Sequence, residues 1–417
     1  MTARAPDGPL ADDDLLRAAV LADPYAVYDR WRPVTPLRWN TRLDAWMLLR
    51  HADVVTALGN HRLFSSDRTE AFTAHLSDVD RERFRPFIQV RKRMLLYNDP
   101  PRHTMLRRPI QHGMSPRLVN GLWTKIQQVA DDLVDAVIER GELDGIRDIG
   151  ARLPVIVNSA LIGVPATDRD KVKRWTADFV SAINAGGANV GTTDLERGQD
   201  AVLAMGEYFP RLARRKRSDP GDDLLSALVQ REPLRDEDLV ATCIVLMFAG
   251  LETALNLIGN GLLALLRHPD QMMLLRDNPA LLSSAVEEIL RYDGPLHLVG
   301  RIATRDVALH GQTIGAGDKV LVMLGAANRD PETFPDPHRL DLRRSPNPHV
   351  AFSHGVHYCP GAGLSRIAGE VMFGTILRRL PDLRLGEGEL EYQPNLSFRG
   401  LRTLPVRFTP GRPLARS

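Results

Sequence analysis

One cysteine of this chain lies in a loop rich in glycine, histidine and aromatic residues, HVAFSHGVHYCPGAGLSR, at residues 349–366. The chain contains only two cysteines, Cys243 and Cys359, so a zinc cluster at this loop is a poor interpretation. Glycines allow the backbone to pass close to a flat or bulky group and can direct amide N–H groups at the sulfur. The residues after the loop predict a helix, and a helix N-terminus favours the thiolate form of a nearby cysteine. Cys359 is therefore a candidate ligating or reactive thiolate.

The residues around Cys359 leave three interpretations open. A cysteine taken at random is most often a half-buried structural thiol. A thiolate without a second cysteine or a nearby ligand cluster suits a single axial bond to haem iron. A role as a hydrolytic nucleophile is the less supported interpretation, because no particular histidine of the sequence can be identified as its base.

A second candidate for chemistry is an acid beside an alcohol in an apolar segment, FAGLETA at 248–254. In an apolar helix Glu252 needs a polar neighbour, a water channel or a neutral state, since an isolated buried carboxylate is costly. The structural alternative is a core helix in which a glycine allows a kink and the Thr253 hydroxyl bonds back to a carbonyl group.

Two pairs of charged or polar residues have helical spacing. Glu288 and Arg291, in EEILR (287–291), are three residues apart and would lie on the same face of a helix. His103 and Arg107, in NDPPRHTMLRR (98–108), are four residues apart and would also share one face. The Glu–Arg pair is commonly a solvated surface pair that contributes a few tenths of a kcal/mol. The His–Arg spacing is a weak signal because arginine-rich helices are common. Neither pair indicates a function by itself.

Together these segments resemble the cytochrome P450 family, the haem-thiolate monooxygenases, over about residues 95–366. The family's haem-binding loop has the pattern Phe, two residues, Gly, three residues, Cys, one residue, Gly. The residues that match this pattern are Phe352, Gly355, Cys359 and Gly361. The resemblance implies haem b (iron protoporphyrin IX) as the cofactor, with Cys359 as the axial ligand of its iron. It also implies four donors to the haem propionates: His103, Arg107, Arg301 and His357.

The resemblance assigns roles to the acid–alcohol segment as well. It places this segment over the distal face of the haem, where Ala249 and Gly250 make room for oxygen. Glu252 and Thr253 then deliver the protons that oxygen activation consumes. A haem-binding sensor or carrier without turnover is the alternative from another class, and the intact acid–alcohol pair counts against it.

A structural network follows from the same resemblance. The Glu288–Arg291 pair is expected to pack with a later arginine, and FPDPHRLD (334–341) predicts that this arginine is Arg339. A buried network of this kind would be costly to break at one partner.

The substrate pocket is expected to be built from separate segments over the haem. The segments are residues 69–95, the 179–194 turn and Leu396, and the individual pocket residues are Leu246, Phe248, Leu298, Val299 and Phe398. Because most of these residues are apolar, a bulky, largely hydrophobic substrate of natural-product type is expected.

The elements that must position these residues are mainly helices. Apolar residues on one face predict a helix that ends near Gly141, and the helical pattern continues at 147–163, 168–183, 195–217, 221–230, 235–267, 270–276 and 279–292. Strands are predicted in a hairpin at 36–50, at 298–309, at 318–324 and in the last thirty residues. The segment 184–194 is typical of a mobile connection, and Pro109 predicts a bend. We expect one mainly-α domain over 1–417 with small β-sheets, and the resemblance implies the triangular helical cytochrome P450 fold around the haem.

The composition limits the classes of function. A net charge of +2 makes nucleic acid a poor first partner, and two cysteines cannot build a disulfide framework, which favours the reducing cytoplasm. The N-terminus has no apolar core of signal-peptide type. Polar residues (Glu252, Asn256 and Asn260) interrupt the most apolar segment, 243–266, so it predicts a buried helix rather than a membrane span.

The resemblance implies an enzyme that uses O2 to insert one oxygen atom into a C–H bond or a double bond. Some family members use the same haem for oxidative coupling or ring formation, which stays the alternative. Electrons are expected from a ferredoxin and its ferredoxin reductase, since the chain contains no flavin or nicotinamide fingerprint. The expected docking face for this acidic partner contains Arg102, Arg108 and Arg366, and the protein is expected to be a monomer.

Overall fold

The computed structural model describes residue 15 and residues 17–184, 192–231 and 234–415. Within these residues the chain is mainly helical with small β-sheets. The mainly-α class that the sequence predicts is therefore confirmed. The predicted connection at 184–194 falls largely on residues 185–191, which lie outside the described residues.

The α-helices begin and end as follows, in chain order: α1 Ala18–Ala22, α2 Tyr25–Trp31, α3 His51–Gly59, α4 Thr69–Thr73, α5 Asp78–Arg83, α6 Arg85–Arg93, α7 Arg102–Gly113, α8 Pro116–Asp135, α9 Leu153–Ile162, α10 Arg169–Asn184, α11 Thr192–Ser218, α12 Leu224–Arg231, α13 Asp236–Arg267, α14 Pro269–Asp277, α15 Leu282–Asp293, α16 Leu324–Ala327 and α17 Ala362–Arg379.

The strands are short: β1 Leu37–Asn40, β2 Ala45–Leu48, β3 Phe64–Ser65, β4 Glu142–Asp144, β5 Val299–Ala303, β6 Val307–Leu309, β7 Gln312–Ile314, β8 Lys319–Val322, β9 Arg384–Leu385 and β10 Pro405–Arg407. They form a five-stranded sheet in the order β1-β2-β8-β5-β3, a three-stranded sheet in the order β4-β10-β9, and the β6-β7 hairpin.

The five-stranded sheet has an apolar core on each face because strand side chains alternate between the two faces. On β2, Trp46 and Leu48 pack in one cluster with residues of α3. Met47 points the other way and packs with residues of α2, including Trp31. This alternation fixes the sheet that carries β5 and, with it, Arg301.

The chain divides into two compact units. The first comprises Met1–Phe64, Ile126–Leu153 and Glu252–Ser417, and its described part contains most of the strands together with α15 and α17. The second comprises Ser65–Lys125 and Pro154–Leu251, and its described part is mainly helical. Helix α13 contributes residues to both units. The prediction of one domain for the whole chain stays a prediction.

Most of the predicted elements are present, but the structure also contains helices α1–α6 and strands β3, β4 and β9, which the sequence analysis did not predict. The segment 147–163 contains a π-helical turn, Gly145–Gly150, before α9 begins. Strand β7, which the sequence pattern did not predict, pairs with β6. Pro109 is buried inside α7, and the helix continues beyond it to Gly113.

Helix α13 is long and apolar enough to cross a membrane by length and composition, with a mean hydropathy of 1.8 over its most apolar window. In the structure 50% of that window is buried inside the protein. Asn256 and Asn260, which interrupt the apolar sequence, are each 1% exposed. These observations support the predicted buried helix.

Candidate active site

Cys359 lies in a tightly turned loop of the first unit. Its backbone N–H donates to the carbonyl oxygen of Phe352 at 2.9 Å, which closes the loop. Gly355 has a φ of +68°, and a Cβ at this position would lie 3.0 Å from the carbonyl oxygen of Leu58. Both the backbone conformation and the close approach therefore require glycine. Helix α17 begins at Ala362, directly after this loop.

The two thiols of the chain differ in accessibility. Cys359 is half-buried, whereas Cys243 is 1% exposed inside α13. Burial raises the pKa of the Cys243 thiol, because the apolar surroundings disfavour the thiolate. A thiol that stays protonated in an apolar core is a poor metal ligand. Of the two, Cys359 has the environment that a ligand requires.

The middle of α13 is more exposed than the segments that flank it. Ala249 is exposed, and the residues from Gly250 to Leu255 are half-buried, although the helix is buried on both sides of this stretch. Glu252 lies within it, and burial raises the pKa of its carboxyl group. This half-buried stretch contains the acid–alcohol pair that the sequence predicts, with Thr253 next to Glu252.

Gly250 is required by a neighbour in the second unit that the sequence analysis missed. A Cβ at Gly250 would lie 2.6 Å from Nδ2 of Asn158, on α9. The Asn158 amide donates to the carbonyl oxygen of Met247 at 3.4 Å, so the side chain packs along this part of α13. No spacing in the sequence links the two segments.

The four predicted propionate donors lie on three elements, and each unit contains two of them. His103 and Arg107 are one turn apart on α7, with His103 1% exposed and Arg107 half-buried. Arg301 is buried on β5, and His357 is half-buried at the end of the short Gly355–His357 turn.

The predicted structural network is buried in the first unit, and one of its members differs from the prediction. Arg291 donates to both carboxylate oxygens of Glu288, at 2.7 and 2.8 Å, and both side chains are almost fully buried. The guanidinium group that joins them is that of Arg344, whose Nε lies 3.1 Å from Glu288. Arg339 is exposed and contributes only its carbonyl oxygen, which accepts from Arg291 at 3.1 Å. Arg344 lies three residues beyond the predicted segment 334–341, so the sequence pattern indicated the neighbourhood but not the arginine whose side chain joins the pair.

The predicted pocket residues fall into two groups. Phe248 and Leu246 on α13 are half-buried, and so are Val299 and Phe398 in the first unit. Leu298 is instead 7% exposed and belongs to a core cluster. It fills the core rather than a pocket, because adjacent residues at the start of β5 point to opposite sides.

Two of the three arginines predicted to form a docking face are bound by carboxylates. Arg366 donates to Glu287 at 2.6 and 3.0 Å, and these hydrogen bonds raise the pKa of its guanidinium group. Arg102 forms an ion pair with the buried Asp238. Arg108 is exposed. These ion pairs neutralise much of the charge of Arg102 and Arg366 within the protein, and the docking face itself stays a prediction.

The residues present fit a haem by their chemistry. Cys359 provides one half-buried thiol on a loop whose shape depends on glycine. Buried cationic side chains such as Arg301 are stabilised by anionic partners, and haem propionates are such partners.

Comparisons with known proteins agree with this assignment. A model of the cytochrome P450 family matches residues 210–381. Cytochrome P450 monooxygenase PikC from Streptomyces venezuelae is 38% identical over 98% of this chain and 96% of PikC. Vitamin D(3) 25-hydroxylase from Pseudonocardia autotrophica is 37% identical over 95% of this chain and 96% of that protein. The crystal structure of CalO2 has a TM-score of 0.88 and 33% identity, covering 96% of this chain and 99% of that chain. The chain therefore belongs to the cytochrome P450 family and is a haem-dependent monooxygenase.

Proposed function

We propose that this monooxygenase hydroxylates or epoxidises a bulky, largely hydrophobic substrate of natural-product type. The observation that carries the proposal is the half-buried stretch of α13, where an acid and an alcohol lie beside apolar residues in an otherwise buried helix. The relative from Pseudonocardia autotrophica is named for hydroxylation of vitamin D(3), a reaction of the proposed class.

The cofactor in this proposal is haem b, with Cys359 as the ligand of its iron. When bound, the haem supplies the activation of O2 and the transfer of one oxygen atom. The chain's own residues bind and orient it, and the propionates would be held by His103, Arg107, Arg301 and His357. Phe352 and Gly361 shape the loop on either side of the cysteine.

Protons for the reaction are supplied by Glu252 and Thr253 in this proposal. Ala249 presents little side-chain volume, which would leave room for O2. The space beside Gly250, expected to serve the same purpose, is occupied by the Asn158 amide. Because burial raises the pKa of Glu252, its carboxyl group keeps a proton at a higher pH than a free glutamate does. A carboxyl group of this kind can donate a proton under conditions where an exposed one is already ionised.

Thr253→Ala is expected to bind haem and substrate like the parent and to divert electrons from product to peroxide. Removing a positioned proton donor costs about 100-fold in the step that it serves. Glu252→Gln is expected to lower product formation in the same direction. It should also make stability less dependent on pH, because the stability of the parent falls as pH rises from the ordinary pKa of glutamate through the raised pKa, whereas glutamine does not ionise.

The measurements are product formed per NADPH consumed, with ferredoxin and ferredoxin reductase as donors, and thermal unfolding as a function of pH. Unchanged coupling in Thr253→Ala would remove this residue from proton supply. If ferredoxin supports no turnover while peroxide does, the electron donor is a different protein.

An aromatic row in the second unit supports a hydrophobic substrate. The ring of Phe248 lies 5.5 Å from that of Phe179, which in turn lies 5.4 Å from Phe87. Phe72 stacks on Phe87 at 6.1 Å. Three of these four phenylalanines are buried, and Phe248 at the end of the row is half-buried. The buried ring of Phe179 therefore packs against Phe248, and the half-buried ring of Phe248 can present an apolar surface to a substrate.

Val299→Phe is expected to weaken substrate binding about tenfold, because one added group in an apolar pocket changes affinity by about that factor. Substrate-induced spectral titration measures the change, and Phe398→Trp should act in the same direction. Leu298→Ala is the matched control. It should lower the unfolding free energy by about 2–5 kcal/mol and leave substrate affinity unchanged, because Leu298 fills the core. Normal titrations with both bulky variants would move the pocket elsewhere.

Ferredoxin with its reductase is the proposed electron donor, and the cytoplasm is the proposed location. The support is the sequence, which lacks a flavin or nicotinamide fingerprint. We also propose that the enzyme acts as a monomer.

A further inference from the structure

Asn256 is a polar residue that the apolar helix α13 buries almost completely, with 1% of its surface exposed. Among the residues that the structure describes, neither Nδ2 nor Oδ1 of this side chain has a hydrogen-bond partner. A buried amide without partners is destabilising compared with an apolar side chain of the same size. Buried polar groups of this kind are usually satisfied by ordered water. The position therefore has the properties of an internal water site.

Asn256 lies on the same face of α13 as two other polar residues. Glu252 is one turn before it and Asn260 one turn after it, so the three form a stripe along the helix. Asn260 is fixed, since its Nδ2 donates to the carbonyl oxygens of Asp293 and Arg399 at 3.1 and 3.0 Å. At one end of the stripe Asn260 is bound to backbone carbonyl groups, and at the other end lies Glu252.

Gly400 determines the space next to Asn256. A Cβ at this position would lie 1.9 Å from Oδ1 of Asn256, so no other residue fits without moving the amide. Gly400 also lines a small cavity whose other walls include His297, Tyr392 and Arg399. Gly400 therefore both packs against the buried amide and lines a cavity with polar walls.

We propose that Asn256 is a positioning residue for proton supply, and that it binds the ordered water through which protons pass from the cavity beside Gly400 to Glu252. Its amide does not ionise; Oδ1 accepts and Nδ2 donates, which orients the water. A proton moves along this water to the carboxylate of Glu252, and no other bond is made or broken. The inference rests on the proposed role of Glu252 in proton delivery.

Asn256→Leu tests this inference because leucine has nearly the same size and cannot bind water. The variant is expected to load haem. The product formed per NADPH consumed should fall about tenfold, a size of effect that is common when a residue supporting a reactive group is replaced. The solvent isotope effect on turnover should be larger than that of the parent. Its melting temperature should stay close to that of the parent, because leucine fills nearly the same volume and the amide and its bound water are lost together. Asn256→Ser should restore coupling, and Gly400→Ala should reproduce the loss.

Parent-like coupling in Asn256→Leu would overturn the inference. So would a clear drop in melting temperature, or failure to fold, that Asn256→Ser shares, because Asn256 would then be structural. Glu252→Gln distinguishes a failure of the role inferred for Asn256 from a failure of the proton role proposed for Glu252. If it uncouples the enzyme and Asn256→Leu does not, only this inference fails; if it leaves coupling unchanged, the proposed proton role of Glu252 fails first.

Discussion

Cys359→Ser is expected to abolish the red-shifted Soret band that a haem with a thiolate ligand gives in its reduced, carbon monoxide-bound form. Serine keeps the size of the side chain but cannot supply a thiolate, so the electron donation that favours O–O cleavage is lost as well. The loop itself should persist, because its backbone hydrogen bond from residue 359 to Phe352 and the fit of Gly355 do not involve the sulfur. Haem content and the carbon monoxide difference spectrum measure the result.

Cys243→Ser is the matched control for this experiment. Its thiol is buried in α13 and burial raises its pKa, so it should contribute nothing to the iron. The control is expected to keep the red-shifted band, with some loss of stability from a buried hydroxyl. A red-shifted band that survives in Cys359→Ser and disappears in Cys243→Ser would reverse the assignment of the ligand.

Short-range patterns in the sequence were sufficient for much of the fold and of the candidate site. The loop around Cys359 and the Glu252–Thr253 pair each lie within a few residues, so their spacing determines their neighbours directly. The same holds for α8, whose apolar residues recur on one face, and for α13, whose apolar run predicts a buried helix.

Contacts between distant segments could not be predicted in this way. Arg366 is bound by Glu287 and Arg102 by Asp238, and nothing in the local sequence of either arginine indicates a carboxylate so far along the chain. Leu298 and Val299 are equally apolar, and only the direction in which each leaves the backbone separates core from half-buried surface. Asn256 interrupts an apolar segment in the sequence, but only its three-dimensional surroundings show that its amide has no hydrogen-bond partner within the described part of the chain.

Glu288→Ala is expected to have the largest effect on stability, a loss of about 3–5 kcal/mol in the free energy of unfolding. Its carboxylate is fully buried and accepts hydrogen bonds from Arg291, from Arg344 and from the backbone N–H of Asp341 at 3.0 Å. Without it the guanidinium group of Arg291, 1% exposed, would remain buried with no opposing charge. Burial lowers the pKa of Arg291, and losing its carboxylate partner would disfavour its charged form further. Denaturant unfolding of the haem-loaded protein measures the loss.

Two arginine variants then distinguish the network in the structure from the one that the sequence predicts. Arg344→Ala removes a guanidinium group bonded to Glu288 and should cost about 1.5–3 kcal/mol, as charged hydrogen bonds typically do. Arg339→Ala keeps the carbonyl oxygen that Arg291 uses, so its effect should stay within about 0.5 kcal/mol, the usual range for surface substitutions. Equal losses from the two variants would mean that the side chain of Arg339 joins the network. A large loss from Arg339→Ala alone would restore the network predicted from the sequence.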